Sequence, residues 1–206
     1  MKAILFDLDN TLYAAECGLF GLIDVRINAY MRDVAGVDAA DVNRLRLRYW
    51  QEYGVTLQGL MRHHGVDPEN YLDYVHDVDV ASRVKPDPAL RRMLQQLPQQ
   101  KVIFTNGSRC HVDRVLAALE IEGLFDAIFD IRVAAYQPKP RPEPYHKVLH
   151  ELGLAAHECL MVEDTLDNLH TAKQLGMKTL LVGTPVDDAR VDYCVPRIVQ
   201  MSEVIA

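Results

Sequence analysis

The chain of 206 residues has room for one medium domain, or a core with a smaller insert, and its 49% apolar content supports a sizeable core. A net charge of −7 with acids and bases interleaved, and no Lys/Arg-rich tract, speaks against a nucleic-acid polymer as partner. Cys17, Cys110, Cys159 and Cys194 lie far apart with no Cys-x-x-Cys pair, which argues against zinc or a disulfide framework and for a reducing, cytoplasmic setting.

The first predicted element is a strand through Ala3-Ile4-Leu5-Phe6, an unbroken apolar run of the kind buried on both sheet faces. It is too short for a signal peptide and ends in Asp. Elsewhere no apolar stretch approaches the ~20 residues of a membrane span. From Leu12 to about Pro86 the pattern is helical: Leu19, Ile23, Ile27, Tyr30 and Val34 recur at helical spacing, as do Val42, Leu45, Tyr49 and Tyr53. Asp67-Pro68 reads as an N-cap with proline at the first helical position. This stretch is an all-helical insert of roughly 70 residues, far longer than a loop.

After Lys85-Pro86 the rhythm alternates. Asp87-Pro88 opens a helix, Val102–Phe104 is a strand, and a helix carries Val112, Val115, Leu116 and Leu119. Ala127–Ile131 is the next strand, and Pro142 opens a helix closed by Gly153. Cys159–Val162 is a strand, Leu166–Leu175 a helix closed by Gly176, and Lys178–Val182 a strand, with Ile198 and Val199 as a last short one. Strand–helix alternation predicts a doubly wound α/β core with a parallel, Rossmann-like sheet. The expected division is a core of residues 1–12 and 86–206 and a helical domain of residues 13–85.

The polar residues that carry chemistry fall at the predicted strand ends. Asp7 and Asp9, at i and i+2, would point the same way at the end of the first strand and repel unless a cation sits between them. Oxygen ligands at such a place suit Mg2+. Thr105 offers a hydroxyl, and the N–H groups of Asn106 and Gly107 lie at a helix entrance, which favours anions. Lys139 reads as a mobile charge on a loop stiffened by Pro138, Pro140, Pro142 and Pro144, and Glu163-Asp164 closes a further strand. Carboxylates, a metal, a lysine and a hydroxyl together suit a phosphoryl group. His63 and His64 point about 100° apart on a helix and read as surface rather than a shared metal site. Arg46, Arg48 and Arg62 read as paired on the surface.

Asp7-Leu8-Asp9-Asn10-Thr11, Thr105-Asn106-Gly107, Lys139-Pro140 and Glu163-Asp164, in that order, resemble the four motifs of the haloacid dehalogenase superfamily of phosphohydrolases, over nearly the whole chain. The insert resembles that superfamily's first type of helical cap. Tyr49-Trp50-Gln51-Glu52-Tyr53-Gly54-Val55-Thr56-Leu57-Gln58-Gly59-Leu60, with Asp9–Tyr13, is similar to the pyrimidine 5′-nucleotidase branch. The resemblance implies Asp7 as nucleophile forming an aspartyl-phosphate and Asp9 as acid then base. It implies Mg2+ held by Asp7, the Asp9 carbonyl, Asp164 and Glu163, the last either as ligand or as support. Thr105, the Asn106 amide and Lys139 would hold the phosphoryl oxygens. Asp167 and Asn168 compete for the slot of a second family aspartate.

The implied function is Mg2+-dependent hydrolysis of a small phosphomonoester, foremost a pyrimidine nucleoside 5′-monophosphate, by a cytoplasmic monomer or homodimer. Phosphoglycolate or sugar-phosphate hydrolysis and a sugar phosphomutase are the alternatives. A receiver-type phosphoacceptor domain is disfavoured by the long insert and by Asp-x-Asp. Dehalogenation proper is disfavoured because Asp9 would have no proton to move there.

Overall fold

A computed structural model describes residues 1–205. Strands β1 (Ala3–Phe6), β2 (Gln100–Phe104), β3 (Ala127–Phe129), β4 (Cys159–Glu163), β5 (Lys178–Val182) and β6 (Tyr193–Val195) form one sheet in the order β3-β2-β1-β4-β5-β6. Every neighbouring pair is parallel. The chain winds outward from β1 to one side, then returns to the other, so the switch point lies at β1. Phe6 is in register with Ile103 of β2 and Val162 of β4. The residues that follow these three strands therefore meet at one sheet edge.

Between β1 and β2 come α1 (Leu19–Asp33), α2 (Val42–Tyr53), α3 (Thr56–His64), α4 (Pro68–Val75) and α5 (Val80–Arg83). Asp67 caps α4 as read from the sequence, its Oδ1 accepting the Asn70 N–H at 2.9 Å. Ile23, Ile27, Tyr30, Tyr49, Leu60 and Leu72 form an apolar cluster among the insert's helices that also takes in Ile131, which follows β3. Val34 departs from the expected periodicity, since it follows the last residue of α1 and is exposed.

Helices α2 and α3 pack so closely at Gly59 that a Cβ there would lie 2.1 Å from the Tyr49 ring. Alanine is better than glycine in a helix by about 1 kcal/mol, but overpacking costs about 1–3 kcal/mol, and the clash wins. Gly59→Ala is expected to lower Tm by roughly 2–8 °C in thermal unfolding.

The remaining helices cover the sheet. Alternation along β1 feeds two cores: Ile4 and Phe6 face α6 (Pro88–Gln96) and α7 (Arg109–Ala118), while Ala3 and Leu5 face α8 (Pro142–Leu152) and α9 (Leu166–Gln174). Asp87 starts α6 by accepting the N–H groups of Ala89 and Leu90.

Two strand expectations are corrected. β3 stops at Phe129 because Asp130 Oδ1 accepts the Arg132 N–H at 3.0 Å and turns the chain into a 3-10 helix, Ile131–Ala134. Ile198 and Val199 lie in a 3-10 helix, Ile198–Glu203, and the last strand is β6. Asp192, just before β6, pins it by accepting the Thr179 N–H of β5 at 2.9 Å.

Candidate active site

Asp7 follows β1, with its N–H donating to the Val162 carbonyl at 2.9 Å, and Glu163 ends β4. Lys139 joins them. Its Nζ donates to Asp7 Oδ1 at 2.8 Å, Glu163 Oε1 at 2.7 Å and the Phe104 carbonyl at 2.8 Å. All three donor positions are used and the residue is 1% exposed, so Lys139 is a fixed charge and not the mobile one expected. Its backbone is held as firmly. Asn106 Nδ2 donates to the Lys139 carbonyl, and Asn106 Oδ1 accepts the Lys139 N–H. That clamp occupies the Asn106 side chain and leaves only its N–H for an anion. Thr105, buried after β2, accepts the Gly107 N–H through Oγ1 at 3.0 Å.

Carboxylate oxygens of Asp7, Glu163 and Asp164 lie within 4.8 Å of one another. Lys139 supplies one positive charge against three carboxyls. Burial raises the Asp7 pKa well above the carboxylate range against the pull of Lys139, with Glu163 and Asp164 adding to the rise. Asp164 is lifted to about 7 by burial and by Glu163. Burial would lower Lys139, but Asp7 and Glu163 outweigh it and raise its pKa. The cluster is thus short of positive charge, and its hard oxygen donors fit a divalent cation such as Mg2+.

Glu163 is engaged on both oxygens: Oε1 also accepts Asn168 Nδ2 at 2.5 Å, and Oε2 accepts the Thr165 N–H at 2.9 Å. Of the two residues competing for the slot after Glu163-Asp164, Asn168 is buried and orients Glu163 through that bond, whereas Asp167 is exposed.

Asp9 departs from the expectation of two converging carboxylates. β1 ends at Phe6, so the i, i+2 rule no longer holds, and Asn10 in the following turn has φ +60°. The Asp9 carboxylate faces Tyr13 Oη and His111 Nε2, the latter at 2.7 Å from Oδ1. Burial works to raise the Asp9 pKa, but His111 and Tyr13 outweigh it and hold it at about 2. His111 is fully buried on α7 and stacks on His76 with ring centroids 4.6 Å apart. Burial holds His76 down to about 3, and its Nδ1 lies 2.9 Å from the Leu72 carbonyl and 3.1 Å from Ser108 Oγ.

His76 and His111 were not legible as site residues, and Tyr13 entered only within the stretch Asp9–Tyr13, with no role of its own. His111 stands on a helical face with Val112 and Val115, where a buried histidine is the ordinary expectation. The other polar expectations divide. His63 and His64 are exposed, but each hydrogen-bonds a tyrosine, Tyr53 and Tyr49 respectively. Arg46 is tied to Asp24 and Asn28, and Arg48 to Glu52.

Helical insert and core meet over the site. Gly54, at φ +87°, lies against Lys139-Pro140, where a Cβ would come within 3.1 Å of the Lys139 carbonyl. A cavity of about 900 Å3 opens between them, lined from below by Asp7, Asp9, Thr105, Asn106, Lys139 and Asp164, and from above by α1 and α2. Among the described residues no helix is long and apolar enough to cross a membrane.

The chain is similar to known proteins. The chain is 28% identical over 191 residues to Phosphate metabolism protein 8 of Saccharomyces cerevisiae, covering 85% of this chain and only 60% of the yeast protein. It is 30% identical over 200 residues to a phosphoglycolate phosphatase of Pectobacterium atrosepticum, covering 87% of this chain and 79% of that one. The crystal structure of CbbY from Rhodobacter sphaeroides in complex with phosphate superposes with a TM-score of 0.70 at 19% identity, covering 98% of this chain and 96% of that one, which is a likeness of fold. Residues 1–176 match the haloacid dehalogenase-like hydrolases, and the strand-end carboxylates around Lys139 lie within that span. The chain belongs to the haloacid dehalogenase-like hydrolase family.

Proposed function

We propose that this hydrolase is a Mg2+-dependent phosphatase of small phosphomonoesters, acting through an aspartyl-phosphate on Asp7, with a pyrimidine nucleoside 5′-monophosphate as substrate. The observation that carries the reading is the meeting of Asp7, Lys139, Glu163 and Asp164 at one sheet edge, open to a cavity roofed by the helical insert. The phosphatase names of relatives support the reaction class. The pyrimidine substrate is supported by the resemblance of Tyr49–Leu60 to the pyrimidine 5′-nucleotidase branch; residues 50–57 of that stretch line the cavity and Gly54 lies against Lys139-Pro140.

Lys139 engages Asp7 Oδ1, and Oδ2 has no hydrogen-bond partner among the described residues, so Oδ2 is the oxygen that attacks phosphorus. Mg2+, when bound by Asp7, Asp164 and the Asp9 carbonyl, neutralises the incoming phosphate and the carboxylates around it. Glu163 keeps Lys139 and the turn at Thr165 in place. Thr105 and the Asn106 N–H receive the phosphoryl oxygens as charge develops, while Lys139, with its three N–H groups held by Asp7, Glu163 and the Phe104 carbonyl, contributes its fixed positive charge. His111 and Tyr13 keep Asp9 ionised at neutral pH. The negative charge of a phosphate beside it raises its pKa, which lets it deliver a proton to the leaving alkoxide. Once the alcohol has left, the same carboxylate takes a proton from the water that attacks the aspartyl-phosphate, returning Asp7 free and releasing phosphate. The insert acts as a cap that excludes bulk water and selects the leaving group.

Phosphate release from UMP, CMP, AMP, GMP and phosphoglycolate, with Mg2+ and with EDTA, tests the proposal. Mg2+-dependent turnover favouring UMP and CMP is expected. Preference for phosphoglycolate would keep the chemistry and discard the substrate, and no turnover of any ester would refute both.

Metal removal has a pH signature. The folded, metal-free protein keeps a proton on Asp164 up to about pH 7, whereas the unfolded chain loses it near its ordinary value of 3.8. Folded protein thus binds more protons in that window, and its stability in EDTA falls as pH rises through it. Mg2+ competes with that proton. The rise in Tm on adding Mg2+ is therefore expected to be larger at pH 8 than at pH 6, read by thermal unfolding.

A further inference from the structure

The roof of the cavity is apolar where a solvent-facing helix surface is normally polar. Phe20 of α1 and Leu47 and Trp50 of α2 are 40%, 54% and 53% exposed, and all three line the cavity whose floor is Asp7 and Lys139. Leu47 and Trp50 stand three residues apart on one face of α2, with Asn43 one turn earlier. The apolar cluster beneath the insert's helices, with Ile23, Tyr30 and Tyr49, is closed without them. Asn43 and Gln51 also line the cavity and make no side-chain hydrogen bond among the described residues. Arg46, the cation on the same face, is taken by Asp24 and Asn28 and is not free for a second phosphate.

We propose that Phe20, Leu47 and Trp50 form a seat for the planar base of a nucleoside monophosphate whose phosphate lies at Asp7. Asn43 and Gln51 then read the edge of the base. This rests on the phosphatase reading above and deepens it by naming the residues that choose the leaving group. A volume of about 900 Å3 is in the range of pockets that enclose a whole nucleotide-sized ligand. A two-carbon or three-carbon leaving group would leave the apolar roof in water. A flat ring covers it, and the stacking tolerates different bases while the two amides discriminate among them.

Trp50 is the sole tryptophan of the chain, so its fluorescence reports on the seat directly. Asp7→Asn protein with Mg2+ would be titrated with UMP, CMP, ribose 5-phosphate, octyl phosphate and inorganic phosphate. Saturable quenching by UMP and CMP, with none by ribose 5-phosphate or inorganic phosphate, is expected. In the active enzyme, Trp50→Ala is expected to lower the ratio of kcat/KM for UMP to that for ribose 5-phosphate about tenfold, mainly through KM, and Trp50→Phe to recover most of it. An unchanged ratio would overturn the seat. So would stronger quenching by octyl phosphate than by UMP, which would make the roof a site for an alkyl chain. If the wild-type protein releases phosphate from no ester, the phosphatase reading fails by itself, while base-dependent quenching still upholds the seat.

Discussion

Asp7→Asn is expected to lower kcat for phosphate release by at least about 10^4-fold, because the amide cannot attack phosphorus and no neighbouring group replaces it. The fold should survive, since Asn keeps the shape of the side chain and an oxygen that can still accept from Lys139. Stability is expected to hold or rise. In the metal-free protein the Asp7 carboxyl is pushed well above its usual range by burial, with further pressure from Glu163 and Asp164. Removing the carboxylate relieves that crowding. Unchanged unfolding together with lost turnover separates a chemical role from a structural one. Retention of more than a hundredth of wild-type kcat would sink Asp7 as nucleophile.

The second large effect is expected at Lys139. Lys139→Met keeps much of the apolar stem but removes the charge that faces Asp7 and Glu163, both buried. Breaking a buried pair by deleting one partner costs about 3–5 kcal/mol. The lower end applies because the orphaned carboxyls can take up protons, and Tm should fall by about 6–12 °C. Mg2+ should recover part of this by supplying positive charge to the same carboxylates. Turnover should fall about 10^2–10^3-fold even where the protein is folded, because the preorganised charge that holds Asp7 and offsets the phosphoryl oxygens is gone. Chemical denaturation with and without Mg2+, beside kcat at a temperature where the variant is folded, distinguishes the two losses. A variant as stable as wild type would show that the Lys139 ion pairs contribute nothing net.

Much of this was written locally. The run Ala3–Phe6, apolar at every position, could only be a strand covered on both faces, and the alternation after Pro86 could only wind into a parallel sheet. Such sheets collect their ligands at one edge, so Asp7, Thr105, Lys139, Glu163 and Asp164 could be brought together before any contact was known. The helical insert was legible for the same reason, since a period of 3.6 and the cap at Asp67 are properties of neighbouring residues. What misled were points where a short polar side chain redirects the backbone. Asp130 ends β3 early, and the Asp9 carboxylate, past the end of β1, bonds Tyr13 and His111 and does not join the cluster of Asp7, Glu163 and Asp164.

The partners of each charged group were set by packing between distant segments. Lys139 reads from the sequence as a mobile charge on a loop stiffened by its neighbouring prolines. It is fixed because β1, β2 and β4 bring three acceptors to it across separations of 24 to 132 residues. His111 lies 102 residues from Asp9, and no local pattern links them. Trp50 reads as an ordinary helix residue until α2 is seen over the carboxylates of the sheet. Periodicity and capping are short-range and survive in a string of letters. Charge pairing and the depth of a cavity depend on which faces meet, and only the folded chain specifies that.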